Sequence, residues 1–262
     1  MNELIDIGLN LMHNSFRKDR VEIIENAKKV GVSQFIITGT TVNSSQKAAD
    51  YASKYPDTLF STSGVHPHDA KTCNGHTIFE LEKISKNDCV VAIGECGLDY
   101  NRNFSPQPLQ RKWFEAQVEL AQRLDMPLFL HEREAHQDLV DILKKHEEVL
   151  EKSVVHCFTG TKTEAENYID LGCFIGVTGW ICDMRRGRNL QEAVSAIPPE
   201  KLMIETDAPF LIPKNFDEKP KKNRNEPKYL PHILETIAIC MGLDSEELAR
   251  QVNKNTKEFF KI

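Results

Sequence analysis

Residues that bind metal ions or transfer protons recur just after short apolar segments of this sequence. Histidine, glutamate and aspartate are common ligands of divalent cations, and each can also act as an acid or a base. One alone has an ordinary structural explanation, but six of the eight apolar segments end in at least one of them, which indicates a shared site. With one neighbouring asparagine, these residues are Asp6, Asn10, His66, His68, Asp69, Glu95, Asp99, His131, His156, Glu205 and Asp207.

The chemistry that this set supports is metal-assisted hydrolysis. Two imidazoles and two carboxylates from separate strands can hold a divalent cation and leave one position open for water. The cation lowers the pKa of that water and neutralises charge that develops on a phosphoryl or carbonyl oxygen. The sequence contains no G-x-S-x-G motif, no dinucleotide-binding glycine motif and no Walker A motif. Serine-nucleophile and nucleotide-cofactor enzymes are therefore disfavoured.

The elements that must position these residues are short β-branched segments, each followed by a polar segment with helical periodicity. The intervals between them leave room for a strand, a turn and a helix. The predicted strands are Leu4–Leu9, Phe35–Gly39, Phe60–Val65, Val90–Gly94, Pro127–His131, Val154–Phe158, Phe174–Val177 and Leu202–Glu205. Apolar spacing and capping signals predict helices over Asp19–Val30 and Leu109–Leu124, and helix starts at the pairs Thr163/Glu166 and Asp244/Glu247.

Strands that alternate with helices form either an open parallel sheet or a closed barrel. An open sheet gathers its ligands near one switch point, so polar residues would mark only two or three strand ends. A barrel brings the carboxyl ends of all its strands to one rim, as the distribution here requires. The sequence therefore predicts an α/β protein with a (β/α)8 TIM barrel of the metal-dependent hydrolase, amidohydrolase-like type. We expect residues 1–262 to form one domain of this kind.

Composition and charge limit the binding partners and the cellular compartment that we expect for this protein. The formal net charge of −6 argues mildly against nucleic-acid binding, although a local basic patch can override such an average. The basic segment Lys214–Lys228 is read first as a solvated loop and alternatively as such a patch. No apolar run is long enough to span a membrane, and no secretory signal is visible. Seven cysteines without C-x-x-C spacing indicate a reducing compartment, so we expect a cytoplasmic monomer, or a nuclear one in a eukaryote.

Seven stretches, in order along almost the whole chain, carry a resemblance to a known family. They are Asp6–Leu11, Ile37–Thr40, Gly64–His68, Val91–Tyr100, Val155–Thr161, Ile204–Pro209 and Arg224–Pro227. On these stretches the sequence resembles the TatD family of metal-dependent deoxyribonucleases, and most of all its TatD subgroup. The resemblance implies a TIM barrel in the amidohydrolase-like superfamily. It also implies a divalent-metal nuclease that trims single-stranded DNA, and possibly RNA, from the 3′ end.

The resemblance also assigns roles to individual positions. Metal ligands are Glu95, His131, His156 and Asp207, and Mg²⁺ is the expected ion, with Mn²⁺ or Zn²⁺ as alternatives. Catalysis is assigned to Asp207, which takes a proton from the attacking water, together with Glu95 and His66. Substrate binding is expected from His66, Arg133 and Arg224. Glu205, Asp6 and Asn10 are expected to support the metal ligands from behind.

Two departures from the family pattern matter for the metal. The wider family opens with D-x-H-x-H, but Gly8 and Asn10 stand here at the histidine positions, as in the TatD subgroup. With fewer ligands on that side, we expect one tight metal and a second that binds mainly with substrate. After His131 the family usually has cysteine, whereas this chain has Glu132.

Two other functions compete with the nuclease. A metal-dependent amidohydrolase or deacylase would use the same rim on a small acyl substrate. A non-catalytic barrel would act as a binding module, but such a scaffold has no need for a rim of metal ligands. Activity on single-stranded DNA against acyl substrates distinguishes the first rival, and metal analysis distinguishes the second.

Overall fold

Eight strands form one sheet of parallel strands whose spatial order follows the chain. The protein is described by a computed structural model over residues 3–216, 220 and 223–262. The strands are β1 (Leu4–Leu9), β2 (Val32–Ile37), β3 (Leu59–Ser63), β4 (Val90–Asp99), β5 (Leu128–Arg133), β6 (Ser153–His156), β7 (Phe174–Val177) and β8 (Leu202–Ile204). Every predicted strand overlaps an observed one.

Helices follow the strands along the described chain. They are α1 (Arg20–Lys28), α2 (Val42–Ala52), α3 (Thr77–Ile84), α4 (Gln107–Leu124), α5 (His136–Leu143), α6 (Lys162–Asp170), α7 (Arg188–Val194), α8 (Leu230–Met241) and α9 (Ser245–Phe260). In the part of the chain that the structure describes, no helix is both long enough and apolar enough to cross a bilayer.

The sheet closes where β8 returns to β1. Leu9 pairs with Ala208 in a parallel bridge just past the end of β8. The Asp207 N–H donates a hydrogen bond of 2.8 Å to the Gly8 carbonyl across the same seam. The predicted (β/α)8 barrel is therefore confirmed, and all strand carboxyl ends face one rim.

A buried carboxylate reinforces this seam. Asp6 Oδ1 accepts a hydrogen bond of 2.9 Å from the Thr206 N–H, and Asp6 Oδ2 accepts one of 2.5 Å from the Thr206 hydroxyl. Burial raises the pKa of Asp6 to about 7 despite these hydrogen bonds. Asp6 thus holds β1 to Thr206, which fixes the backbone that leads into Asp207.

Two apolar clusters hold the barrel together. The larger one lies between the sheet and the surrounding helices. The smaller one fills the barrel interior, because residues from strands all around a closed sheet can meet only inside it. Its strand members include Ile7, Ile36, Ala92, Phe129, Val154 and Met203. This packed floor fills the barrel below the rim, so a ligand bound by the barrel lies at the carboxyl ends of the strands.

The helix-start predictions have different outcomes. Asp244 caps α9 as predicted, because its side chain accepts from the backbone N–H groups of Glu246 and Glu247. The capping box of α6 is formed by Thr161 and Glu164 rather than by the predicted pair Thr163/Glu166, so that prediction was wrong by two residues. Both pairs have the same threonine-to-glutamate spacing, and only the helix start in the structure distinguishes them.

Candidate metal centre and catalytic cavity

A cavity of about 730 Å³ opens at the carboxyl ends of the strands. Side chains at or just past the carboxyl ends of all eight strands contribute to its wall, as the barrel predicts. One from each strand in turn is Asn10, Thr38, His66, Glu95, His131, His156, Trp180 and Asp207. Six of these are residues that the sequence assigned to the site, and the barrel brings these six together.

Glu95 is the centre of the cavity floor. Its Oε1 atom lies 2.8 Å from His131 Nδ1 and 2.8 Å from His156 Nε2. The same oxygen lies 3.2 Å from His66 Nε2. Three imidazoles from three different strand ends therefore converge on one carboxylate oxygen that is almost wholly buried.

An irregularity in β4 aims Glu95 at this point. Gly94 pairs with Phe129 and Cys96 pairs with Leu130, so Glu95 is an extra residue in the ladder between β4 and β5. Such a bulge re-directs a side chain and is common beside active sites. Gly94 has φ +144°, and a Cβ there would approach the Phe129 carbonyl oxygen to 2.3 Å. Glycine is therefore required for the bulge.

The ionisation of the cluster favours a bound cation. Burial would raise the pKa of Glu95, but the charge of His156 and hydrogen bonds from His131 and His156 hold it well below its ordinary value. Burial likewise disfavours a charged His156, yet Glu95 and Glu205 raise its pKa well above the ordinary value. Burial lowers the pKa of His66, which leaves this ring neutral at pH 7. Glu95 is therefore ionised and compensated by positive charge, a role that a divalent cation can take over.

The donor set fits a divalent metal. Within the described residues, one ligand atom from each of His66, Glu95 and His131 lies within 4.8 Å of the others. His156 meets the same Glu95 oxygen, as described above. Imidazole nitrogen with carboxylate oxygen is a common donor set for Zn²⁺ and Mn²⁺, and the carboxylates also suit Mg²⁺.

Asp99 holds two of the imidazoles in place. Its Oδ2 atom lies 2.7 Å from His68 Nε2 and 3.4 Å from His131 Nε2. Burial would raise the pKa of Asp99, but hydrogen bonds from His131 and His68 hold it well below the ordinary value. Because His131 is fixed from both sides, by Glu95 and by Asp99, its ring has one orientation in the cavity.

Glu205 holds His156 in place in the same way. Its Oε2 atom lies 3.3 Å from His156 Nδ1, and its Oε1 atom accepts a hydrogen bond of 2.5 Å from the Cys157 N–H. Gly8 leaves the space for this carboxylate, because a Cβ at position 8 would lie 1.9 Å from Glu205 Oε2. Where the wider family has a histidine, this chain therefore has Gly8, and the buried Glu205 carboxylate occupies the space that a side chain at position 8 would need.

Asp207 stands on the opposite side of the cavity. Its Oδ1 atom accepts a hydrogen bond of 2.8 Å from Asn10 Nδ2. Burial raises the pKa of Asp207 to about 8, and the negative charges of Glu95 and Glu205 add to this shift. Asp207 has φ +52°, a left-handed backbone that costs energy outside glycine and recurs at functional sites. This carboxyl group therefore holds a proton more readily than a solvent-exposed aspartate.

A family model described as TatD related DNase matches residues 5–261. The chain belongs to the TatD-related DNase family. The 3′-5′ ssDNA/RNA exonuclease TatD of Erwinia tasmaniensis is 46% identical over 259 residues, covering 99% of this chain and 100% of that protein. The enzyme of the same name from Erwinia amylovora is 45% identical over 257 residues, covering 98% and 99%. The family resemblance read from the sequence is confirmed.

Solved structures agree with the barrel. The crystal structure of YJJV, a TatD homolog from Escherichia coli K12, matches with a TM-score of 0.91 at 27% identity and covers 99% of this chain and 98% of that one. The Escherichia coli phosphotriesterase homology protein, which has phosphate in its active site, matches with a TM-score of 0.72 at 15% identity and the same coverage. The second likeness shows the fold alone.

The two arginines assigned to substrate binding lie in different surroundings. Arg133 lines the cavity, and its guanidinium carbon lies 5.6 Å from the centre of the Trp180 ring. Arg224 lies outside the cavity wall and is paired internally. Its guanidinium group contacts Asp19 at 2.8 Å and Glu226 at 2.6 Å. The structure therefore brings Arg133 to the site and leaves Arg224 in a largely buried ion-pair network outside it.

The surrounding basic segment shows the same pairing where it is described. Lys214 contacts Asp183 at 2.8 Å, and Lys228 contacts Glu226 at 2.7 Å. The predicted patch also included Lys219, Lys221 and Lys222, which lie outside the described residues.

Glu132, the departure after His131, turns away from the cavity. Its carboxylate accepts a hydrogen bond of 2.7 Å from the Ala135 N–H at the start of α5. Its negative charge therefore supports a turn and does not line the wall of the cavity.

Several cavity residues were not given a role from the sequence. Asp99 and His68 stand in quoted motifs, but their mutual contact depends on how far β4 extends. Trp180 and Phe210 also line the cavity, and no spacing rule predicts them. The sequence did contain an indication for Asp99, which follows Glu95 by four residues. Only Gly97 among the residues between them favours a turn, so the strand could be expected to continue as far as Asp99.

Proposed function

We propose that this family member hydrolyses phosphodiester bonds at the 3′ end of single-stranded DNA and RNA with a divalent cation. The observation that carries the proposal is the convergence of three imidazoles on Glu95 Oε1 at the barrel mouth. The relatives named 3′-5′ ssDNA/RNA exonuclease TatD, at about the 45% identity level, support the substrate class. Because one chain supplies the whole cavity wall, we also propose that a monomer is active.

The residues that would hold the cation are Glu95, His131 and His156 in the resting protein, joined by Asp207 when substrate is bound. When bound, the cation lowers the pKa of a coordinated water and offsets charge on the phosphate. We propose Mg²⁺ as the working ion, since it commonly completes its coordination with waters and substrate phosphates. Mn²⁺ and Zn²⁺ remain chemically compatible with the imidazole ligands.

Asp207 is the proposed acceptor of the proton from the attacking water. Asn10 occupies Asp207 Oδ1, which leaves Oδ2 as the oxygen to accept this proton. A carboxyl group whose pKa lies near neutrality is a better general base than one with an ordinary pKa. Asn10 therefore positions the base, which the positive charge of a bound cation would keep ionised.

His66 is the proposed hydrogen-bond donor to the scissile phosphate. The His68 N–H donates to His66 Nδ1 at 3.0 Å, so the neutral ring carries its proton on Nε2. That atom faces Glu95 and the cavity. A phosphate oxygen beside it would receive a directed hydrogen bond without the cost of charging a buried imidazole.

The rim also suits unpaired bases. Phe210 is 49% exposed and lines the cavity beside His13, while Phe104 is 54% exposed and packs on His68. Exposed aromatic rings flanking a phosphate site are typical of single-strand binding, because bases stack on them without sequence preference. A small acyl substrate would not need these rings.

Labelled oligonucleotides test the proposal directly. Single-stranded DNA and RNA labelled at the 5′ end should yield a ladder that shortens one nucleotide at a time, whereas a 3′ label should be released first. Chelation should abolish both reactions, and Mg²⁺ or Mn²⁺ should restore them. Asp207→Asn, purified identically, controls for a contaminating nuclease and should lose at least about tenfold in rate, or ~1.4 kcal/mol of barrier. Metal-independent cleavage, or release of internal fragments, would contradict the proposal.

A further inference from the structure

We propose that a groove on the outer wall of the barrel binds the phosphate backbone of a single strand upstream of the 3′ end that enters the cavity. This α1–α2 groove has a volume of about 420 Å³ and lies between the start of α1 and one face of α2. The inference rests on the proposed function and extends it to a second binding site. Its lining includes Arg17, Arg20, Lys47, Tyr51 and Lys54.

The groove is continuous with the catalytic cavity. Met12, in the segment after β1, lines both the cavity and the groove. Arg20 fixes this segment, because its Nε donates to the Leu11 carbonyl at 2.8 Å and its guanidinium also reaches the Met12 carbonyl. A strand whose 3′ end is held at Glu95 can therefore leave over Met12 and continue into the groove.

The groove concentrates positive charge in an acidic protein. Its wall carries four cations and one carboxylate, Asp50, whereas the whole chain has a formal net charge of −6. In the described parts of the chain, Arg17, Lys47 and Lys54 form no ion pair, and all three side chains are exposed. Unpaired cations beside an active site attract phosphates at little cost, since no existing ion pair has to break.

The spacing of the groove residues matches an extended polymer. Lys47 and Tyr51 lie one turn apart on α2, and Lys54 follows just past the end of the helix, so the two lysines stand about 10 Å apart along it. Tyr51 stands between them in the sequence and lines the same groove, with the Arg20 guanidinium 5.8 Å from its ring centre. A row of cation, aromatic ring and cation can contact successive phosphates with a base stacked between them.

This feature contrasts with the basic segment Lys214–Lys228. The described cations of that segment, Lys214, Arg224 and Lys228, all contact carboxylates, as shown above. The cations of the groove do not. Among the described residues, the groove is therefore the better candidate for extended contact with a strand.

The test compares two double charge reversals. Lys47→Glu with Lys54→Glu changes the groove, and Lys83→Glu with Lys144→Glu makes the same charge change at the far ends of α3 and α5. All four lysines are exposed and form no ion pair with a described residue, so folding should be unaffected. Hydrolysis of a trinucleotide and of a 15-nucleotide single strand is measured at several salt concentrations.

The groove variant should raise KM for the 15-nucleotide strand at least about tenfold relative to the control variant. For this variant, the slope of log KM against log[salt] should be smaller by about 1.4, which corresponds to the loss of two phosphate contacts on a single strand. Hydrolysis of the trinucleotide, which is too short to span both sites, should be unchanged. Equal KM values and equal salt slopes in the two double variants would overturn the proposal.

A binding measurement separates this inference from the proposed function. Fluorescence anisotropy of the labelled 15-nucleotide strand, with each double variant combined with Asp207→Asn, reports affinity without cleavage. Weaker binding by the groove variant alone supports the groove even if the wild-type protein cleaves nothing. Equal binding by both variants rejects the groove even if the wild-type protein is an exonuclease. Competition by inorganic phosphate that removes the difference between the 15-nucleotide strand and the trinucleotide would assign the groove to a free anion and overturn the strand proposal.

Discussion

The two sides of the catalytic cavity differ in how far they are organised for a cation. On the side formed by β3 to β6, one oxygen of Glu95 meets His66, His131 and His156 within 3.2 Å. On the side formed by β1 and β8, Gly8 contributes no ligand atom and Asn10 is hydrogen-bonded to Asp207. The first side has a compensated, ionised carboxylate, whereas the second has a carboxyl group that burial protonates.

This difference indicates an order of events. The side around Glu95 can bind a cation in the resting protein, because its ligands are assembled and held by Asp99 and Glu205. The side around Asp207 becomes a good ligand or base only when positive charge arrives to lower its pKa of about 8. Gly8 provides no imidazole on this side. The positive charge that lowers the pKa of Asp207 would therefore come from a cation that binds together with substrate.

The strongest test exchanges one carboxylate for an amide on each side. Glu95→Gln should weaken Mn²⁺ binding to the resting protein by about a hundredfold or more, since a charged ligand is lost. Asp207→Asn should change that affinity by no more than about threefold, although it removes most of the activity. Calorimetric titration of the two isosteric variants measures both. If the two variants lose Mn²⁺ equally, the distinction between the sides is wrong.

A smaller effect should follow from the residues behind each carboxylate. Asp99→Asn weakens the hold on His68 and His131, and we expect about a tenfold loss in Mn²⁺ affinity of the free protein. Asn10→Ala should leave that affinity unchanged and lower kcat severalfold, because Asp207 loses its positioning hydrogen bond. Titration and steady-state kinetics on both variants make the comparison. A kcat effect confined to Asp99→Asn would remove the proposed role of Asn10.

The smallest expected effect concerns stability and pH. Asp207 has a folded pKa of about 8, against an ordinary value of 3.8. Between these values the folded protein holds a proton that the unfolded chain has lost, so stability falls as pH rises from 4 to 8. Asp207→Asn removes this loss, and with chelator present it should raise Tm by a few degrees at pH 8 and by less at pH 5.

Asp6 titrates equally in both proteins, so the difference in Tm isolates Asp207. Differential scanning calorimetry at the two pH values measures it. A variant less stable than the wild type at pH 8 would show that the ionised carboxylate is favourable there, and that the two sides of the cavity do not differ in charge compensation.

Much of the site was predictable because strand ends are visible in the sequence. Glu95, His131, His156 and Asp207 each follow an apolar β-branched run, and a barrel brings such positions to one rim regardless of loop detail. Gly8 and Asn10 were also informative, because the sequence alone shows that these two positions carry no imidazole ligand for a metal. Local pattern and topology were sufficient for these residues.

Other features depend on distances that no local pattern contains. The bulge that aims Glu95 is a mismatch between two strands and has meaning only once β4 and β5 are paired. Arg224 forms an ion pair with Asp19, which is 205 residues away in the chain. This contact neutralises the charge of Arg224 within the protein. The capping box of α6 was misplaced because two threonine–glutamate pairs overlap.

The hydrogen bond from the Asp207 amide to the Gly8 carbonyl joins catalysis to the motion of the barrel. That amide closes the seam between β8 and β1, so each local opening of the seam displaces the carboxylate of the same residue. The exchange rate of this one amide proton with deuterium therefore reports how often the base leaves its working position. An isotope-exchange profile would then reveal the fraction of time for which the site is assembled, without any turnover of substrate.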